Sequence, residues 1–287
     1  VRPHQGTKTL TSNGVDHEIE YHDGSVVILN FDPKKHYYNV EGAYAPSVTT
    51  ILDSIAKPAL VPWAANEGAK FFRENCSAYS QAEMSSEDMA KGIRSAYKTS
   101  SGQALNVGLM VHKWCEEAIL WKLGKGPAPG MPENPQAALA INAFREWVKT
   151  NEIEWHTVEE KVYHRGHKYA GTVDATATIN DEYCVIDFKT SKSIYSSYHL
   201  QCAAYAKAIE DMRGKEVDKH LQCAAYAKAI EDMRGKEVDK AYVLRFDKAT
   251  GEFESAASVE VRENFIAFLG FLEGYSRLRS LENRHGK

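Results

Sequence analysis

Within Gly171 to Ser193, "GTVDATATINDEYCVIDFKTSKS", two carboxylates, Asp174 and Asp187, and one lysine, Lys189, sit among apolar and small residues. Side chains of an extended strand alternate between faces, so Asp187 and Lys189 share one face and Ile186 and Phe188 take the other. By the same parity Asp174, Thr176 and Thr178 line one side of the preceding segment, while Val173, Ala175, Ala177 and Ile179 line the opposite side and are expected to pack inward. Asn180 and Asp181 tolerate positive φ; if they form a two-residue turn, residues whose numbers sum to 361 face each other and Asp174 stands opposite Asp187. Cβ atoms so opposed lie roughly 4.5–5.5 Å apart. Two like charges there repel unless something positive lies between them. A divalent cation is one resolution: oxygen ligands suit Mg²⁺ or Mn²⁺, with Lys189 projecting its ammonium beside the ion. An isolated D-x-K is more often a solvated hairpin face with a surface salt bridge, so the surrounding elements must decide.

Those elements are legible in outline. From Glu18 to Tyr44, β-branched and aromatic residues punctuated by Asp23-Gly24, Asp32-Pro33 and Glu41-Gly42 read as short strands and turns. "PSVTTILDSIA" starts a helix with Ser47 as N-cap, and helical signals run to about Thr150, broken by the loop "GKGPAPGMPENP" from Gly124 to Pro135. Strands return near Val158 to Tyr163 and are followed by the hairpin, a helix at Leu200–Met212, a strand at Ala241–Phe246 and an amphipathic helix at Val261–Leu281. The pattern predicts one α/β domain over 1–287, with a β segment at 1–45, a helical region at 46–150 and a core at 151–287.

"HLQCAAYAKAIEDMRGKEVDK" occurs at His199–Lys219 and again, letter for letter, at His220–Lys240. Two copies do not make a solenoid, so a tandem duplication, natural or engineered, is the reading; one copy removed leaves 287 − 21 = 266 residues. Each copy is neutral, so the net charge of −4 and pI near 6.3 are unaffected; any phosphate-binding surface must be a local basic patch. Cys76, Cys115, Cys184, Cys202 and Cys223 form no C-x-x-C pair, which argues against zinc and iron–sulfur sites and fits a reducing compartment. No apolar run is long enough to span a membrane and no signal peptide is visible.

Other groups that a metal-dependent phosphodiesterase needs are present. In "GLMVHKWCEEAI", Gly108–Ile119, His112 and Glu116 share a helix face, as do Gln201 and Tyr205 in "QCAAY". The chain thus resembles the RecB-like branch of the PD-(D/E)XK nuclease superfamily, whose motifs G-x-x-x-H-x-x-x-E, G-x-x-D, (D/E)-x-K and Q-x-x-x-Y all occur in order. "APSVTTIL", "LVPWA", "GLMVHKWCEE", "AGTVDA" and "VIDFKTS" are most similar, in that order, to mitochondrial genome maintenance exonucleases and their phage and bacterial relatives. The resemblance covers Tyr38 to the final strand; each motif alone is degenerate, and their joint order carries the weight.

The resemblance implies a restriction-endonuclease-like core, a central mixed β-sheet flanked by helices, with an N-terminal helical region over the active site. It implies a Mg²⁺- or Mn²⁺-dependent exonuclease acting on single-stranded DNA or flaps in repair, recombination or replication. His112, Asp174 and Asp187 would be metal ligands, with the Phe188 carbonyl a further oxygen donor, and Lys189 would position or activate water and stabilise charge on phosphorus. Gln201 and Tyr205, or Gln222 and Tyr226 from the second copy, would orient DNA or the lysine. The first copy is favoured because the short connector "TSKSIYSSY" limits what can reach the site. A supporting carboxylate before the hairpin is Glu159 or Glu160, with spacing favouring Glu159. The surplus copy would be an insert or would exchange between protomers in a swapped dimer. A helicase or recombination partner is implied by analogy, and this chain has no G-x-x-x-x-G-K-[ST] loop of its own. The implied compartment is the cytoplasm of a bacterium or phage-infected cell, or the mitochondrion of a eukaryote.

A structure-specific endonuclease and an inactive DNA-binding subunit are the competing readings. His164 and His167, beside Arg165 and Lys168, read as a basic loop or plain surface. Trp63, Trp114, Trp121 and Trp147 read as core, and Lys57, Lys70 and Arg73 as helix cations able to meet phosphate or solvent.

Overall fold

The computed structural model describes residues 14–35, 37–214, 240–258 and 261–285, and the fold is mixed α/β with two sheets. The first sheet is an antiparallel meander of β1 (Val15–Glu20), β2 (Val26–Asp32), β3 (Tyr37–Val40) and β4 (Ala43–Ala45). Its turns fall where the Asp-Gly and Glu-Gly pairs predict them: Gly24 has φ 77°, and Glu41 and Gly42 have φ 51° and 84°.

Four helices follow: α1 (Val48–Leu52), α2 (Leu60–Ser80), α3 (Ser86–Lys122) and α4 (Pro135–Thr150). Ser47 caps α1 by accepting from the Thr50 amide at 2.9 Å, Ser85 caps α3 through the Asp88 amide, and Asn134 caps α4 with Pro135 in its first turn. With 37 residues, α3 is about 55 Å long. One helix therefore carries both His112 and, near its C-terminal end, Trp121.

The second sheet runs β5 (Ile153–His164), β6 (Tyr169–Ile179), β7 (Glu182–Lys189), β8 (Lys240–Phe246) and β9 (Phe253–Ser258) in spatial order. Among the described strands only β7 and β8 pair in parallel, and α5 (Ser196–Arg213) lies in the crossover between them. A last helix, α6, spans Val261–His285. The strand β9 is absent from the expected element order because "FESAAS" has no apolar run; it is held by pairing with β8.

Helices cover both faces of this sheet. On one side Val48 and Ile51 of α1, Ala203 of α5 and Phe268 of α6 pack on Val162 and Val185. On the other, Val111 and Cys115 of α3 and Ile141 and Phe144 of α4 pack on Ala175, Ile186 and Phe246. A strand buried on both faces reads as a continuous apolar run, which explains "YCVIDF". It also removes the solvated-hairpin alternative, because Asp187 is only 1% exposed. Thr176 is fully buried as well, its hydroxyl 2.7 Å from that of Thr157.

The meander packs against the far ends of β5 and β6, where the Tyr21 hydroxyl donates to the Tyr163 carbonyl at 2.7 Å and Tyr38 meets Thr172 at 2.8 Å. His164 lies in this region and corrects its surface reading. Its side chain is buried, stacked on Phe265 at 5.9 Å, and burial pushes its pKa down to about 4. Its neighbour His167 is exposed.

Candidate functional site

The hairpin closes as its sequence predicts. Asn180 and Asp181 have φ 50° and 69°, and pairing runs in register from Ile179–Glu182 to Ala175–Ile186. It stops one step before Asp174 and Asp187. There the Phe188 amide donates to Asp174 Oδ2 at 2.7 Å, a side-chain contact in place of a ladder bond. On the other edge of β6, Val158 pairs with Ala175 and Glu160 with Val173, but the intervening Glu159 has φ 52°, an uncommon conformation for a strand residue. Asp174 thus sits where regular pairing fails on both sides. Val173 and Ala175, expected to share one face, consequently join the cores on opposite sides of the sheet.

The break gathers charge. Lys189 Nζ hydrogen-bonds Asp187 Oδ1 at 2.7 Å and stands 2.6 Å from Oδ2, but only the first contact has hydrogen-bond geometry, so the buried Oδ2 has charge beside it without a directed donor. His112 of α3 brings Nδ1 to 3.6 Å from Asp174 Oδ2. Burial raises the Asp187 pKa to about 6, opposed by Lys189 and reinforced by Asp174. Glu159 is pushed up to about 7, by desolvation first and then by Asp174. For Asp174 burial works upward, yet the His112 imidazole and Lys189 hold it below the usual range. Lys189 and His112 are both raised despite burial, because Asp187 and Asp174 respectively favour their charged forms.

Two motif glycines explain how helices reach this point. A Cβ on Gly171 would stand 2.5 Å from the Tyr205 ring, so the glycine of G-x-x-D lets α5 lie against β6. A Cβ on Gly108 would stand 3.1 Å from Thr190 Oγ1, so α3 approaches the end of β7 closely four residues before His112. Gln201 and Tyr205 are buried on α5, with Gln201 Nε2 donating to the Tyr205 hydroxyl at 3.3 Å. This helix is built from the first copy of the duplicated unit; Gln222 and Tyr226 lie outside the described residues.

A cleft of about 720 Å³ opens over the charged group, lined by His112, Lys113, Glu116, Glu159, Lys189 and Tyr198, among others. Glu116 and Glu159 are thereby brought together. Glu160 is turned to Thr157, whose hydroxyl it accepts at 2.5 Å, and does not line the cleft. Phe188 meets Asp174 through its amide. Lys70 pairs with Glu74 on α2, whereas Lys57 stands in the connector between α1 and α2, not on a helix as expected, and pairs with Asp53.

Sequence reasoning missed two cleft residues. The Tyr198 ring lies 4.9 Å from Lys189 Nζ, and Lys248 reaches across to the Ala104 carbonyl at 3.0 Å. Tyr198 carries a usable signal, because it stands three residues before Gln201 on the same helix; Lys248, in a turn after β8, carries none.

The donors suit a hard divalent cation: carboxylate oxygens of Asp174, Asp187 and Glu159, one imidazole, and a buried Asp187 oxygen without a directed donor. As placed, Lys189 neutralises Asp187 itself, and among the described residues no group of three or more His, Cys, Asp and Glu is arranged to hold a metal. No helix among the described residues is long and apolar enough to cross a membrane. No family model matches the chain, and no curated protein matches it significantly.

Proposed function

We propose that this chain is a metal-dependent DNA nuclease with a restriction-endonuclease-like core, of the RecB-like PD-(D/E)XK type. The observation that carries the reading is the convergence of Asp174, Asp187 and Lys189 with His112 of α3 at a break in the β6 ladder, beneath an open cleft. Three separated sequence motifs meet there, which an unrelated surface salt bridge gives no reason to expect.

In this reading Asp174, Asp187 and His112 hold a Mg²⁺ or Mn²⁺ ion, with Glu159 as the supporting carboxylate. The ion supplies Lewis-acid stabilisation of the phosphate and lowers the pKa of bound water. Lys189 is an ammonium, since its carboxylate neighbours raise its pKa, so it acts as a donor. It orients water and stabilises charge on the phosphate oxygens without itself accepting a proton. In this reading Glu159, on the cleft wall and pushed up to about 7 by burial before any cation is bound, would be the acceptor for the proton released by the attacking water. Tyr198 holds the lysine ammonium from the cleft side. Single-stranded DNA or a flap is the substrate class.

The test is digestion of single-stranded DNA labelled at either end, with Mg²⁺, Mn²⁺ or EDTA, alongside Lys189→Ala. Shortening that requires metal and is lost in the variant is expected, and the label gives the polarity. Binding without cleavage in any metal would replace this reading with that of a DNA-binding subunit.

A further inference from the structure

Near the C-terminal end of α3 a second cavity of about 410 Å³ opens between α3, α4 and the loop 124–134. Its walls are aromatic and aliphatic: Trp114, Trp121, Met131, Phe144, Val148 and Trp155. Its volume falls within the range of ordinary ligand pockets. Lys122, Arg145 and Lys149 also line it, and among the described residues no carboxylate does, in a chain whose net charge is −4. Lys149 is paired with Glu146 at 2.7 Å, whereas Lys122 lies over the Trp121 ring at 4.8 Å and Arg145 has a 3.5 Å contact with Asn142. Trp121 and Met131 remain 46% and 43% exposed. In the same wall, the Trp114 indole nitrogen is buried without an acceptor among the described residues.

We propose that this pocket docks a short acidic peptide of a partner protein, inserting one bulky apolar side chain between the tryptophans and setting its carboxylates against Lys122 and Arg145. The occupant follows from the lining. Among the described residues the only polar side-chain groups of the lining are the indole N–H groups of Trp114, Trp121 and Trp155 and the Lys122, Arg145 and Lys149 cations, all donors, so the N–H groups of a nucleobase would be buried without side-chain acceptors, whereas a Leu or Phe side chain needs none. The rim then selects negative charge. The wall is also preformed: Pro127, Pro129 and Pro132 fix φ along the loop, and the Lys125 amide ties it back to the Leu120 carbonyl at 2.8 Å. This inference does not rest on the nuclease reading.

The test is fluorescence anisotropy of the full chain with a fluorescein-labelled peptide Ser-Asp-Glu-Asp-Phe-Leu, a control with lysine replacing its three acidic residues, and a labelled eight-nucleotide oligothymidine. Saturable binding of the acidic peptide alone is expected. It should weaken about tenfold or more in Met131→Asp, whose exposed position tolerates the change, and about fivefold in Lys122→Glu/Arg145→Glu, with thermal melting unaltered. Absence of saturable peptide binding, or binding indifferent to Met131→Asp, overturns the proposal. So does oligothymidine binding that Met131→Asp removes without any peptide binding, which would make the pocket part of a nucleic-acid face.

Discussion

At the turn end of the β6–β7 hairpin, left-handed Asn180 and Asp181 close the strands and every pair up to Ala175–Ile186 is in register; at the open end, pairing stops just before Asp174 and Asp187. The closed end carries no charged contact with the site and is held by ladder bonds and turn geometry. The open end replaces ladder bonds with side-chain contacts: Phe188 amide to Asp174, Lys189 to Asp187, His112 to Asp174. The same hairpin is thus regular at one end and gathers buried charge at the other. The cost of the second is visible in the raised Asp187 and Glu159.

The largest effect should come from the open end. On the proposed nuclease reading Lys189→Ala is expected to reduce DNA hydrolysis by about 10²–10³-fold or more and, by leaving Asp187 buried without its partner, to destabilise the fold by roughly 3–5 kcal/mol. The double variant Asp187→Leu/Lys189→Met should recover most of that stability in urea unfolding while remaining inactive, separating the structural role of the pair from the chemical one. Recovered activity in the double variant would break the comparison.

Next in size is the closed end. Asn180→Ala/Asp181→Ala removes the short polar side chains that make left-handed backbone tolerable there and should cost roughly 1–2 kcal/mol in total, with the hydrolysis rate per folded molecule unchanged. A rate loss larger than the folded fraction explains would show that the two ends are coupled.

The acids of the open end give a pH signature. Glu159 and Asp187 bind protons more tightly folded than unfolded, so the stability they contribute is present at low pH and is lost as pH rises through about 6 and 7. Melting curves should show this decline for the wild type and a shallower one for Glu159→Gln. At pH 8, Mg²⁺ or Mn²⁺ should raise the melting temperature, and Asp174→Asn should abolish the rise.

Smaller effects sharpen the site's edge. Tyr198→Ala should lower turnover about three- to tenfold while Tyr198→Phe keeps it, the size of a cation–π contact at 4.9 Å. Gln201→Ala should impair hydrolysis and Gln222→Ala should leave it unchanged. Deleting one 21-residue copy, whichever is removed, yields the same sequence and should preserve the site, because α5 is formed by the first copy and reached by the same connector.

Local chemistry was readable wherever neighbouring residues alone set the outcome. The type and tolerance of Asn180 and Asp181 sufficed for the register, Ser47 for the start of α1, and the motif spacings for His112 with Glu116 and Gln201 with Tyr205. The strand parity at Val173 and Ala175 misled, since it assumes an unbroken ladder, and the left-handed Glu159 has no sequence signature. His164 misled because a polar neighbourhood in sequence is not one in space; Phe265, a hundred residues on, supplies its packing.

The sequence by itself determined the turn, the caps, the order of the motifs and the chemical types that could meet. Only the tertiary structure decided that they do meet, burying Asp187 and Lys189 between two helical layers and bringing α3 and α5 to one break in β6. Backbone preferences act over a few residues, whereas these contacts depend on packing between elements far apart in the chain, where glycines at 108 and 171 allow the close approach.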